Sequence, residues 1–135
     1  MERPIDERIA EIVDDFEALE EWVDKYQYLV ELGKETDTLS DDEKNDDTLI
    51  RGCQSQVWVV AERREGRIYF RGDSDAIIVK GIVSMLMKVV SGCTIDEVRA
   101  CDFAFIESIG LREHLSMTRS NGVLAMIERI KKLAE

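Results

Sequence analysis

Apolar positions along the chain first recur at helical spacing. Ile5, Ile9, Ile12, Val13 and Phe16 fall on one side of a 3.6-residue period and predict a helix over residues 4–16. Pro4, the only proline, suits its opening turn, where a missing N–H costs no intrahelical bond. Trp22, Tyr26, Leu29 and Val30 predict a second helix over 20–32, with Gly33 as a left-handed stop. Residues 34–47 then lose the period and turn polar and acidic, which predicts an exposed loop.

Beyond that loop the period changes to two. Val57-Trp58-Val59-Val60-Ala61 and Arg67-Ile68-Tyr69-Phe70-Arg71 are β-branched and aromatic, and Arg63-Arg64-Glu65-Gly66 between them supplies a glycine for a tight turn. This predicts a β-hairpin, with a further short strand at 49–51 able to pair beside it. Ser74 is expected to cap a helix over 75–91, in which only Lys80, Ser84 and Lys88 form a polar stripe, so that it should lie deep against the sheet and end at Gly92. Thr94-Ile95-Asp96-Glu97 is a capping-box pattern for a short helix. A second short helix is expected over 104–109, and a last one over 120–133 burying Leu124, Ile127 and Ile130. The order predicts an α+β fold: a small antiparallel sheet of about three strands packed against several helices, in one domain spanning 1–135.

Charge narrows the partners. With 18 Lys and Arg against 29 Asp and Glu, the formal net charge is −11. Such a surface repels nucleic-acid phosphates and anionic lipid; it either suits a basic protein partner or simply keeps the chain in solution. The longest apolar run, residues 76–90, is too short for a membrane span and contains Lys80 and Lys88. Three cysteines without dense spacing do not make a secreted disulfide framework, and the N-terminal residues lack a signal-peptide apolar run, so a reducing cytoplasm is the expected compartment.

Candidate chemistry concentrates at Cys53. There is no phosphate-binding glycine loop, no Cys-x-x-Cys and no His-Glu-x-x-His, and the spacing of Cys53, Cys93 and Cys101 is not that of a zinc site. Cys53 sits in Arg51-Gly52-Cys53-Gln54-Ser55-Gln56. Gly52 permits a sharp turn beside the sulfur, Arg51 favours the thiolate, and Gln54 offers hydrogen bonds without acid–base strength. That setting suits a thiolate exchanging sulfur; an inert loop cysteine is the alternative. Asp73 and Asp75 flank Ser74 and are explained either as a paired-carboxylate site or, more simply, as a turn and helix cap. A metal site assembled from the three cysteines and His114, or a hydrolase pairing Cys53 with His114, would need tertiary proximity.

The run Ile50-Arg51-Gly52-Cys53-Gln54-Ser55-Gln56-Val57-Trp58-Val59 closely resembles the signature of the SufE family of sulfur acceptors. The resemblance continues through Gly72-Asp73-Ser74-Asp75-Ala76-Ile77-Ile78-Val79-Lys80-Gly81, Tyr28-Leu29-Val30-Glu31-Leu32-Gly33, His114-Leu115-Ser116 and Arg119-Ser120-Asn121-Gly122, nearly end to end. It implies an IscU-type fold and a protein that takes persulfide sulfur from a SufS-type, pyridoxal-phosphate-dependent cysteine desulfurase, stimulates it, and passes sulfur to the SufBCD scaffold for iron–sulfur cluster assembly. The chain would then be a carrier and desulfurase activator rather than a stand-alone enzyme, with no metal or cofactor of its own. The CsdE type shares the signature and serves another desulfurase. The resemblance places the acceptor at Cys53, on a loop tucked into an apolar cavity, and ties Asp75 and Arg119 to loop placement and partner engagement. Cys93 and Cys101 fall outside the signature. An IscU-like cluster scaffold and a cysteine-dependent thiol hydrolase are the competing readings.

Overall fold

The computed structural model describes residues 4–36, 39–51, 55–115 and 117–135, and within these all side chains except those of Arg112, Met117, Thr118 and Arg119. Its centre is a hairpin of β1 (Val57–Arg64) and β2 (Arg67–Ser74), antiparallel from Val57 opposite Ser74 to Arg64 opposite Arg67. The two-residue turn has positive φ at both positions, 51° at Glu65 and 80° at Gly66. That is the turn whose twist matches paired strands, and the glycine makes it accessible. A two-residue β3 (Cys93–Thr94) joins the free side of β2, giving the order β1-β2-β3.

The helices are α1 (Ile5–Glu17), α2 (Trp22–Glu35), α3 (Ile77–Val90), α4 (Ile95–Ala100), α5 (Phe105–Ser108) and α6 (Met117–Leu133), with one 3₁₀ turn at Arg112–His114. The α+β architecture expected from the sequence is present. α3 is the apolar helix the pattern required: Ile82, Val83, Met85 and Leu86 are fully enclosed, and each such side chain contributes roughly 1.5–3 kcal/mol on burial. It packs against β2 on one side and α2 on the other. Among the described residues no helix is long and apolar enough to cross a membrane.

Several local expectations are corrected. Gly33 does not stop α2, which continues to Glu35. It is instead half of a close helix crossing. A Cβ on Gly33 would stand 3.2 Å from Gly81 N, and one on Gly81 would overlap Leu29 O at 2.1 Å. The absence of side chains lets the two backbones meet. Ser74 does not cap α3: the N-cap is Ala76, without a side-chain cap bond, and α3 begins at Ile77. Arg119 lies within the first turn of α6 rather than before it. The capping box is present as expected, with Thr94 Oγ1 accepting from Glu97 N at 3.1 Å. Glu97 also accepts from Ile5 N at 3.0 Å, tying the start of α1 to α4.

The acidic segment is not a bare loop. Ser40 and Glu43 bond reciprocally, Asn45 Oδ1 accepts from Asp47 N and Thr48 N, and Thr48 Oγ1 donates to Glu43 O at 2.6 Å. The segment ends in a single β-bridge, not the short strand anticipated at 49–51. Leu49 stands antiparallel opposite Trp58, Ile50 N donates to Val57 O at 2.8 Å, and Val59 N donates to Thr48 O at 3.0 Å.

Candidate functional site

Gly52, Cys53 and Gln54 lie outside the described residues. What is described is the frame on both sides of them. Residues 48–50 form the incoming arm and Gln56 with β1 the outgoing arm, joined at their base by the bond from Ile50 N to Val57 O. The stretch that contains Cys53 connects these two arms in sequence.

The outgoing arm is held by the end of β2. Ser74 Oγ donates to Gln56 O at 2.8 Å, Gln56 N donates to Asp75 Oδ1 at 3.0 Å, and Asp75 N reaches Gln56 O at 3.3 Å. Ser74 Oγ also accepts from Ala76 N at 3.2 Å, so the serine ties a turn rather than capping a helix. Asp75, which the resemblance ties to loop placement, accepts from the backbone of Gln56, three residues after Cys53 in sequence.

The incoming arm is held from α6. Arg129 donates to Asp47 O at 3.2 Å and to Leu49 O at 3.0 Å. With Ile50, Arg51, Ala125, Glu128 and Lys132 it lines a cavity of about 170 Å³. Arg51 itself is exposed. The side chain of Arg119 lies outside the described residues. No local signal in the sequence marks the long-range bonds of Arg129.

Beneath the outgoing arm lies Asp73, 1% exposed. Lys44 Nζ stands 3.3 Å and Lys80 Nζ 3.4 Å from its carboxylate, which also accepts from Ser74 N at 2.8 Å and Leu39 N at 3.1 Å. Desolvation pushes this carboxyl up, but the bonds from Ser74 and Leu39 and the two ammonium groups outweigh it and hold it below its ordinary range. Neither Asp73 nor Asp75 is a helix cap, contrary to the simpler reading of the pair. Lys44 also sits over Trp58, 5.1 Å from the ring centre. Nearby, Arg71 pairs with Glu43 at the surface and, together with the bond from Ser40, lowers that carboxyl to about 2.

The other candidate groups are elsewhere. Cys93 is fully buried, with Sγ 3.3 Å from Val89 O. It pairs with Ile68, six strand residues from Ser74, which at the usual rise is about 20 Å from the anchored arms. That separation works against a scaffold in which Cys93 and Cys53 share a cluster. Burial raises the Cys101 thiol above its ordinary value. His114 stacks on Trp22 with ring centres 3.8 Å apart, its Nδ1 is 3.1 Å from Gly110 O, and its carbonyl accepts from Tyr26 OH at 2.6 Å. Its contacts are those of a structural residue. Among the described residues no three His, Cys, Asp or Glu side chains gather as metal ligands.

Comparison with known proteins agrees with the fold and the motif. The model of the SufE family, described as an Fe–S metabolism associated domain, matches residues 10–134. An uncharacterised SufE-like protein of Rhizobium etli is 39% identical over 132 residues, covering 94% of this chain and 89% of the relative. Another from Rhizobium meliloti is 40% identical over 132 residues, covering 94% of each. The solution structure of a hypothetical protein from Thermus thermophilus shares the fold, with a TM-score of 0.78 at 19% identity and coverage of 94% of this chain and 93% of that one. This chain belongs to the SufE family, a family of Fe–S metabolism.

Proposed function

We propose that this chain takes persulfide sulfur onto Cys53 from a SufS-type cysteine desulfurase, stimulates that enzyme, and delivers the sulfur to a SufBCD-type scaffold in the cytoplasm. The observation that carries the reading is the pinned frame. The loop bearing Cys53 springs from two arms fixed by Ser74 and Asp75 on one side and Arg129 on the other. A carrier must offer one sulfur to two partners in turn. Two hydrogen-bonded arms allow this while the rest of the fold stays packed.

The transfer is thiol–persulfide exchange. The Cys53 thiolate attacks the outer sulfur of the desulfurase persulfide. A new S–S bond forms to Cys53, the old one breaks, and the desulfurase cysteine leaves as a thiolate. Delivery repeats the exchange with Cys53 as the leaving thiolate, so no external oxidant or reductant is consumed. Rates depend on the thiolate fraction of the attacker and on the leaving group's pKa. Arg51, two residues before Cys53 and exposed, is the cation that favours the Cys53 thiolate in both steps. Pyridoxal phosphate belongs to the partner and mobilises sulfur there.

The test is incubation with a pyridoxal-phosphate cysteine desulfurase and cysteine, followed by peptide mass mapping and measurement of cysteine turnover. One added sulfur on the Cys53 peptide and faster turnover are expected, both lost in Cys53→Ser. Unchanged turnover and no added sulfur would overturn the reading.

A further inference from the structure

Residues 40–49, which lead into the Cys53 loop, contain no buried side chain; only Leu39 and Ile50 at their ends are buried. Hydrophobic packing therefore cannot fix this stretch, and its position depends on polar contacts. Two come from β2: Arg71 on Glu43 at the surface, and Asp73 on Lys44 in the interior. Asp73 is the only charged side chain among the buried described residues. Its four donors come from separate places: Leu39 just beyond α2, Lys44 in the acidic segment, Lys80 on α3, and its own neighbour Ser74.

An enclosed carboxylate with two lysines is a poor way to gain stability, because desolvation offsets most of the attraction and an apolar cluster would do as well. Its benefit is geometric: four donors from separate parts of the chain converge on it, so satisfying them together ties those parts to one another. The next two residues, Ser74 and Asp75, hold Gln56 on the outgoing arm. Three consecutive residues at and just beyond the end of β2 thus reach the segment that leads into the incoming arm and the outgoing arm itself.

We infer that Asp73 is a positioning residue for sulfur acceptance: through Lys44 and Leu39 it sets the incoming arm of the Cys53 loop, in register with the outgoing arm held by Ser74 and Asp75. This rests on the reading of Cys53 as the acceptor. Its partners among the described residues are Leu39, Lys44, Ser74 and Lys80, so in this role its loss changes how often the acceptor segment stands ready for the donor and leaves the exchange step intact.

The experiment compares Asp73→Asn, Lys44→Met and Lys80→Met with the unaltered chain. Amide hydrogen exchange is followed over residues 39–51, and sulfur acceptance is followed against desulfurase concentration. Lys44→Met keeps an apolar stem over Trp58 and alters a partly exposed side chain, so it carries the test if Asp73→Asn does not fold. Loss of one charge-assisted hydrogen bond shifts an opening equilibrium about tenfold. Exchange over 39–51 should therefore rise about tenfold in Asp73→Asn and Lys44→Met, and the half-saturating desulfurase concentration should rise by the factor in which ready chains become rarer, at most about tenfold, with the maximal transfer rate retained. Lys80→Met, which frees no arm of the loop, should raise that concentration less. A carboxylate serving stability alone would respond to either lysine alike. Equal effects of the two lysine variants, or an unchanged half-saturating concentration in folded Lys44→Met, would overturn the inference. Failure of the unaltered chain to accept sulfur on Cys53 would instead sink the acceptor reading, and the exchange measurement would still decide whether Asp73 holds residues 39–51.

Discussion

The two ends of the β1–β2 hairpin differ in what holds them. At the turn end, Glu65 and Gly66 close the strands with their own backbone, and a Cβ on Gly66 would meet nothing within 4 Å. At the open end, Gly72 lies against α3, Asp73 is buried among two lysines, and Ser74 and Asp75 hold Gln56. The conformation of the turn is set by local geometry, although Ile95 and Leu133 reach the turn and the strand beside it, whereas the open end is set by residues that arrive from distant parts of the chain. The open end is also the one from which the Cys53 loop departs. Stability can be altered at either end, but sulfur acceptance should respond only at the open one.

The largest effect is expected at Gly72. A Cβ there would stand 2.5 Å from Val83 Cγ1 and 3.3 Å from Trp58 O, so Gly72→Ala forces β2 and α3 apart. It should cost about 1–3 kcal/mol of unfolding free energy and depress sulfur acceptance along with it. Denaturant titration beside the acceptance assay checks both. Asp75→Ala removes the acceptor for Gln56 N and should cost about 1 kcal/mol. Here acceptance should fall by more than the stability loss alone accounts for; equal acceptance in the folded variant would place the outgoing arm's control elsewhere. The smallest functional effect is expected at the turn. Gly66→Ala puts a side chain on a residue with φ of 80°, at a cost of about 1 kcal/mol. Acceptance per folded molecule should be unchanged. A fall there would break the contrast between the two ends.

The same contrast explains what the sequence disclosed. Features whose physics is local were legible: the Glu65-Gly66 turn, the Thr94–Glu97 capping box and the apolar wrap of α3. Features defined by distant partners were not. Gly33 looks like a helix stop until α3 presents Gly81 to it. Ser74 looks like a cap until Gln56 arrives at its hydroxyl. Asp73 looks like a turn residue because nothing near it in sequence reveals Leu39, 34 residues away, or Lys44. Arg129 bonds Leu49 across 80 residues with no local trace. Cys53 is singled out by its motif and the family resemblance alone, since a lone cysteine near an arginine and a glycine is by itself compatible with an inert thiol.

The central claim is that one thiol, Cys53, carries the sulfur. Its most direct test is a pair of chains assayed with the desulfurase and cysteine: one retaining only Cys53 (Cys93→Ser, Cys101→Ser), the other lacking only Cys53 (Cys53→Ser). Mass mapping should find one transferable sulfur on the first and none on the second. Sulfur on Cys93 or Cys101 of the Cys53→Ser chain, at the rate of the unaltered protein, would contradict it.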